Sequence, residues 1–125
     1  MTDRELARRL IPQVEFEVEE VSVVVLQEGP RRANLDQAEL QRILNEHLQF
    51  NVALVGQGKL LTAGAILDPG AGPRVTGLGF SRLSLDELSR TIAEDPSVRA
   101  EVESFRVARY MFPKGSLTFA SQEAR

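Results

Sequence analysis

Hydrophobic and polar residues alternate at the start of the main body of the chain and then change to a helical period. Segment 15–29 begins with apolar residues between glutamates and continues into a valine-rich run, a pattern typical of a β-strand. From about 36 to 56, apolar side chains recur every three or four residues, which predicts an amphipathic helix. Either Asn34 or Asp36 could cap its first turn, and Gly56 marks its end.

Two further strands, a second helix and a last strand complete the pattern. Segments 59–67 and 75–83 are predicted to be strands, and the first is expected to be buried on both faces. The glycines of the second indicate a bend or a close approach of backbones. Ser84 followed by Glu87 fits a capping box that opens a helix. Segment 103–112 is predicted to be the fourth strand.

The order β-α-β-β-α-β is that of the split βαβ, or ferredoxin-like, arrangement. It predicts an α+β fold with a four-stranded antiparallel sheet and two helices on one face, because right-handed crossovers place both helices on the same side. We expect one domain at 14–115, an N-terminal extension at 1–13 that could form a short helix, and a C-terminal tail at 116–125.

The predicted strands carry apolar residues on both faces, whereas two helices can cover only one face. In the first strand the side chains of Val23 and Val25 point to one face of the sheet and that of Val24 points to the other. In the last strand the side chains of Tyr110 and Met111 likewise point to opposite faces. An exposed apolar sheet face of this size marks an interface. The simplest cover is the same face of a second copy, so we expect a homodimer formed by face-to-face packing of two sheets.

The amino-acid composition limits the classes of protein to which this chain can belong. The chain has 125 residues, of which 26% are charged and 42% apolar, as is ordinary for a soluble globular domain. The net charge of −3 argues against a nucleic-acid partner. The absence of cysteine excludes disulfide and thiolate chemistry. Because the chain has neither a signal-peptide pattern at its start nor a long apolar run, we expect a cytoplasmic protein that does not bind membranes.

Two residues attract attention as candidate catalytic groups. His47 is the only histidine and lies among leucines on the sheet-facing stripe of the first predicted helix. Histidine titrates near neutrality and suits general acid/base catalysis, although a partly buried histidine that is hydrogen-bonded for packing explains the pattern as well. Asp95 precedes Pro96 and is a good helix N-cap. Its carboxylate could also orient the ring of His47.

The sequence resembles the YCII-related family over about residues 16 to 115. Three pieces in fixed order carry the resemblance: His47-Leu48 in the first helix, a glycine before an "LLTAG"-like strand at 58–64, and Asp95-Pro96 after the second helix. The resemblance implies a dimeric α+β barrel in which a His–Asp pair, here His47 and Asp95, forms the active site. One member of that family eliminates chloride from a chlorinated trihydroxybenzene.

The remaining candidates are few. Arg109, which follows apolar residues of the last strand, could hold an anionic group of a substrate, although such an arginine more often pairs with a carboxylate or reaches solvent. One histidine and no cysteine predict no metal site, and we expect no cofactor. The resulting hypothesis is a cofactor-independent lyase or isomerase acting on a small aromatic or lactone-like compound. The alternative is a non-catalytic module that binds a small ligand or supports assembly.

Overall fold

The computed structural model describes residues 17–67 and 74–119, together with Thr2, Glu5, Leu6 and Arg9. Most of the predicted N-terminal helix and the last six residues of the predicted tail lie outside this part. The elements are β1 (Val18–Glu28), a short 3-10 helix (Arg32–Asn34), α1 (Gln37–Gly56), β2 (Thr62–Ala65), β3 (Val75–Ser81), α2 (Leu85–Ile92), α3 (Pro96–Arg99) and β4 (Glu103–Pro113).

The strands of the described residues form one four-stranded sheet in the order β2-β3-β1-β4, and each neighbouring pair is antiparallel. This order, with α1 between β1 and β2 and α2 between β3 and β4, is the predicted ferredoxin-like α+β topology. Strands β1 and β4 pair along their whole lengths, from Val18 opposite Pro113 to Glu28 opposite Glu103. Residues of the two strands that lie opposite each other therefore share a face of the sheet.

Side-chain caps begin the helices where the sequence predicted them. Asp36, rather than Asn34, caps α1 by accepting a hydrogen bond from the backbone N–H of Glu39 at 2.8 Å. Ser84 caps α2, and Asp95 caps the short helix α3. Within the described residues, no helix has both the length and the apolar character needed to cross a membrane.

The main core lies between the helices and the face of the sheet that they cover, here called the inner face. Val24 and Leu26 of β1 pack there with Leu54 of α1 and with Leu88 and Ile92 of α2. Each of these side chains is at most 8% exposed. Burial of an aliphatic side chain of this size contributes about 1.5–3 kcal/mol, so this cluster fixes the helices over β1.

The opposite, outer face of the sheet is partly covered by the chain itself. Val21 and Phe112 are buried there together with Leu61, and Phe80 and Phe119 pack against them. The ring centroids of Phe80 and Phe119 are 6.1 Å apart. The segment predicted as a separate tail therefore contributes Phe119 to a second, smaller apolar cluster.

The rest of the outer face is more open. Leu78 is 36% exposed and Tyr110 is 46% exposed, and Val23 and Val25 beside them are only partly buried. These four residues form an apolar surface, here called the outer strip. The outer face therefore carries apolar residues that the helices do not cover, as the sequence predicted.

The prediction for β2 was wrong in length and in burial. The strand spans only Thr62–Ala65, and all four residues are exposed, because β2 lies at the edge of the sheet and pairs only with β3. The apolar residues that indicated a buried strand, Leu60 and Leu61, are buried before the strand begins. Leu60 joins the main core and Leu61 joins the cluster on the outer face.

Candidate functional site

A cavity of about 470 Å³ lies between α1 and the inner face of the sheet. The helix contributes Leu44, His47, Leu48 and Asn51 to one wall, and β1, β2 and β3 form the opposite wall. Most of the lining is apolar, and the volume falls within the range of small-molecule sites.

Two glycines of β3 make room for this cavity. Gly77 lies opposite Leu26 and Gly79 lies opposite Val24, both on the inner face, so the wall beneath α1 is backbone where side chains would otherwise project. A β-carbon at Gly77 would lie 2.8 Å from the carbonyl oxygen of Gly64 in β2. The close backbone approach that the glycines indicated in the sequence is therefore confirmed.

His47 and Asp95 are in direct contact on the wall of the cavity. The imidazole Nδ1 of His47 lies 2.6 Å from Oδ2 of Asp95. An ionised carboxylate can only accept hydrogen bonds, so Nδ1 carries the hydrogen and donates it. The other oxygen of Asp95 accepts the backbone N–H of Ser97 at 2.9 Å. The carboxylate thus caps α3 with one oxygen and faces the imidazole with the other.

A second buried carboxylate, that of Glu103, faces the other ring nitrogen. Its Oε1 lies 3.4 Å from Nε2 of His47. The side chain of His47 is 14% exposed, whereas those of Asp95 and Glu103 are 1% and 4% exposed. Sequence reasoning missed Glu103, although a signal was present, since an acid that shares its strand face with Phe105 and Val107 must point towards the core.

Hydroxyl and amide groups connect these charged side chains. The Oγ of Ser97 lies 2.9 Å from Oδ1 of Asp95 and 2.8 Å from Oε1 of Glu103. The hydroxyl of Thr76 donates to Oε2 of Glu103, and the amide of Asn51 lies 3.4 Å from Oδ2 of Asp95. In the described part of the chain, every buried side-chain nitrogen or oxygen has a hydrogen-bond partner. The network is therefore complete without a ligand.

The pKa of His47 is raised above its ordinary value of 6.5. Burial on its own lowers the pKa of this ring, because it disfavours the charged form. The hydrogen bond to Asp95 and the negative charges of Asp95 and Glu103 favour the imidazolium and outweigh burial. The ring therefore keeps its second proton to a higher pH than an exposed histidine, and it can donate that proton near neutrality.

One imidazole and two carboxylates are groups that can bind a metal ion. Here both ring nitrogens face carboxylate oxygens directly, which differs from side chains that converge on a shared ion. Among the residues that the structure describes, no group of three or more histidine, aspartate or glutamate side chains has an arrangement that could hold a metal ion.

The structure does not bring Arg109 to the cavity. Its guanidinium donates to Oγ of Ser22 at 2.9 Å and lies 3.8 Å from a carboxylate oxygen of Glu20. Arg109 shares the inner face with Glu103, but six residues of extended strand, roughly 20 Å, separate them. Two other arginines, Arg32 and Arg74, do line the cavity.

The fold has counterparts among solved structures. A dimeric protein of unknown function and ferredoxin-like fold from Bacteroides fragilis matches with a TM-score of 0.50 and 19% identity, over 78% of this chain and 99% of that one. The 5-chloro-2-hydroxyhydroquinone dehydrochlorinase from Burkholderia phenoliruptrix, solved in complex with 2,5-dihydroxybenzoquinone, matches with a TM-score of 0.46 and 16% identity, over 71% of this chain and 92% of that one.

At 19% identity, the likeness to the Bacteroides fragilis protein shows the ferredoxin-like fold alone. No protein-family model matches the chain, and no curated protein matches it. The similarity to the YCII-related family therefore stays a prediction.

Proposed function

We propose that this protein is a cofactor-independent enzyme of the YCII-related type, which moves a proton on a small molecule bound in the cavity beneath α1. The observation that carries this proposal is the hydrogen-bonded pair of His47 and Asp95 on the wall of a cavity large enough for such a molecule. A titrating imidazole that is oriented by a buried carboxylate and reachable from a cavity is the arrangement that general acid/base catalysis requires.

The hydrogen bond between His47 and Asp95 determines the role of each residue in the proposed reaction. Asp95 holds the Nδ1–H of His47 and thereby fixes the tautomer, so that the lone pair of the neutral ring lies on Nε2. Nε2 is then the atom that accepts or returns the proton. Asp95 stabilises the imidazolium that forms, and its other oxygen accepts the backbone N–H of Ser97.

The lining of the cavity supports a substrate with an apolar body. Val24, Leu26, Leu44 and Leu48 offer aliphatic surface to a ring-sized ligand. Elimination or isomerisation of a small aromatic or lactone-like compound requires a positioned proton carrier and exclusion of water, and it requires neither a metal nor a nucleophile. Arg109 has no part in the proposed site, since its guanidinium is engaged with Ser22 outside the cavity.

The proposed assembly is a homodimer in which two outer strips pack against each other. The exposed Leu78 and Tyr110 and the partly buried Val23 and Val25 supply the apolar surface for such a contact. An isologous interface of this kind buries the same residues on both copies. It leaves the inner-face cavity of each copy open, because the two faces lie on opposite sides of the sheet.

The proposed activity can be tested with small carbon acids. The protein is incubated in D₂O with a panel that includes chlorinated trihydroxybenzenes and unsaturated lactones, and ¹H NMR follows deuterium uptake, double-bond migration and loss of substituents. We expect the wild type to turn over at least one member, and His47→Asn to do so on the order of a hundredfold more slowly. Equal rates in the two proteins, or binding without turnover, would favour the non-catalytic ligand-binding alternative.

A further inference from the structure

Elimination and isomerisation both involve two proton movements at different atoms of the substrate. One proton leaves carbon, and another reaches a leaving group, an oxygen or a second carbon. The His47–Asp95 pair supplies one mobile proton, because Asp95 is 1% exposed and its two oxygens are held by the backbone N–H of Ser97 and by the imidazole. The proposed reaction would therefore gain from a second proton-transfer group within reach of the same cavity.

Glu103 lies where such a second proton-transfer group is needed. It lines the cavity, and its Oε1 lies 3.4 Å from Nε2 of His47, the ring nitrogen that Asp95 leaves unbound. The distance is longer than that of a strong hydrogen bond. A ligand atom that approached Nε2 from the cavity would therefore come close to both groups.

The partners of the two carboxylates differ in a way that suits different roles. Asp95 accepts from the backbone N–H of Ser97, a group that can donate but never accept, and it shares the Ser97 hydroxyl with Glu103. Glu103 is held by the hydroxyls of Ser97 and Thr76. A hydroxyl can rotate from donor to acceptor. The surroundings of Glu103 can therefore adjust to a carboxyl group that gains and loses a proton.

We propose that Glu103 is a second catalytic residue of this site and forms a proton-transfer pair with His47, in which one member removes a proton from the bound molecule while the other donates one. The proposal rests on the proposed function, since it divides that reaction between two groups. It makes Asp95 the fixed counter-ion of the pair and Ser97 the hydroxyl that bridges the two carboxylates.

The steps balance without an added reactant. In one direction the carboxylate of Glu103 takes a proton from a carbon of the substrate, so a C–H bond breaks and an O–H bond forms. The electron pair left on carbon forms the new double bond, and Nε2–H of His47 protonates the leaving group or the far end of the π-system. Transfer of the proton from Glu103 to Nε2 of His47, across the 3.4 Å that separates them, then restores the starting state.

The test uses α-angelica lactone, a small unsaturated lactone. Its isomerisation removes a proton from the carbon between the carbonyl and the double bond and adds one at the far end of that double bond. We expect Glu103→Gln to lower kcat/KM on the order of a hundredfold, as is typical for loss of a general acid or base. The matched control is Glu46→Gln, which removes the same charge from the exposed side of α1, where Glu46 pairs with Arg42. This control should leave the rate unchanged.

The pH profile separates a catalytic Glu103 from one that only supports the ring. The charged groups that face the imidazole are Asp95 and Glu103, and Glu28, Arg32 and Arg74 also line the cavity. If His47 and Glu103 together hold one proton in the active enzyme, that proton is lost as pH rises through the pKa of His47. The value of kcat/KM then falls over this pH range. A lone His47 acting as base gains kcat/KM over the same range, and this is the profile expected of the residual activity of Glu103→Gln.

The pH profiles of the wild type and of Glu103→Gln decide whether Glu103 is catalytic, separately from the proposal for His47 and Asp95. A wild-type rate that falls through the pKa of His47, with a reversed slope in Glu103→Gln, supports the pair. A wild-type rate that rises through this pKa, or a Glu103→Gln enzyme with a profile of unchanged shape, overturns the catalytic role of Glu103 and leaves the His47–Asp95 proposal intact. A wild type no faster than His47→Asn on this lactone overturns the pair, whereas the substrate panel described above decides the proposed function separately.

Discussion

The imidazole Nδ1 of His47 lies 2.6 Å from the carboxylate Oδ2 of Asp95, although the two residues are 48 positions apart in the sequence. The contact exists because α1 packs beside α3 and because Asp95 occupies the N-cap of α3, where its side chain is turned back over the helix end. A cap and an ion-pair partner are thus combined in one buried carboxylate, and substitutions can separate the two functions.

Replacement of Asp95 by asparagine or by alanine should affect stability differently. Asparagine is as good an N-cap as aspartate and keeps the buried volume, whereas alanine removes the cap as well as the charge. We expect Asp95→Ala to be less stable than Asp95→Asn by about 0.5–2 kcal/mol in the free energy of unfolding, measured by urea denaturation at neutral pH. Equal stability of the two variants would mean that the cap at α3 contributes nothing measurable.

The stability of the protein should depend on pH through His47. The pKa of this ring is higher in the folded protein than the ordinary value of 6.5, so the folded state binds its proton more tightly than the unfolded state does. The stabilisation is fully present below pH 6.5 and is lost as pH rises through the folded-state pKa. Urea denaturation of the wild type and of His47→Asn at a series of pH values measures this difference.

The wild type should lose its advantage over His47→Asn towards alkaline pH. A difference in free energy of unfolding that grows with pH, or that stays constant, would show that the two carboxylates do not favour the imidazolium over the neutral ring. His47→Asn is a suitable reference because it removes the only histidine and retains a side chain that can hydrogen-bond.

Filling the cavity from its rim should block ligand binding without unfolding the protein. Ala63 belongs to the exposed edge strand β2 and lines the cavity beside Gly79. We expect Ala63→Phe to weaken binding of any compound identified in the substrate screen by at least about tenfold. Its stability should change by less than about 0.5 kcal/mol, since the site is on the surface. Calorimetric titration of Ala63→Phe, with Ala63→Ser as the small control, tests whether this cavity is the binding site.

The proposed dimer can be tested by placing charge on the outer strip. Tyr110→Glu introduces a carboxylate among apolar side chains of that strip, and two-fold symmetry would bring two copies of it into the interface. We expect the wild type to be dimeric and Tyr110→Glu to be monomeric in light scattering at micromolar concentration. Val52→Glu, at a valine that is 70% exposed on α1, is the matched control and should remain dimeric. A monomeric wild type would contradict the proposal.

The order of elements could be predicted from the sequence because each element carries a local signal. Asp36 and Ser84 mark helix starts, and the period of the apolar residues changes where strand gives way to helix. Leu60 and Leu61 show the limit of this reasoning. Two consecutive apolar residues indicate burial, but only the tertiary structure decides that they enter different clusters before an exposed strand.

The site was predictable in part for a similar reason. The sequence resemblance and the topology pointed to His47 and Asp95, which the structure places in contact. Glu103 and Arg109 both lie on the inward stripe of β4, yet one faces His47 and the other lies near Ser22. Periodicity along a strand identifies the face that a residue occupies, whereas the position relative to a helix above that face depends on sheet register and helix placement.

The most direct test of the central claim is an NMR titration of the single histidine, with and without the Asp95→Asn substitution. We expect the ring of His47 to titrate with a midpoint above 6.5 in the wild type, at a lower pH in Asp95→Asn, and unchanged in Glu46→Gln. A wild-type midpoint at or below 6.5, or one that does not respond to Asp95→Asn, would contradict a paired, proton-carrying imidazole at this site.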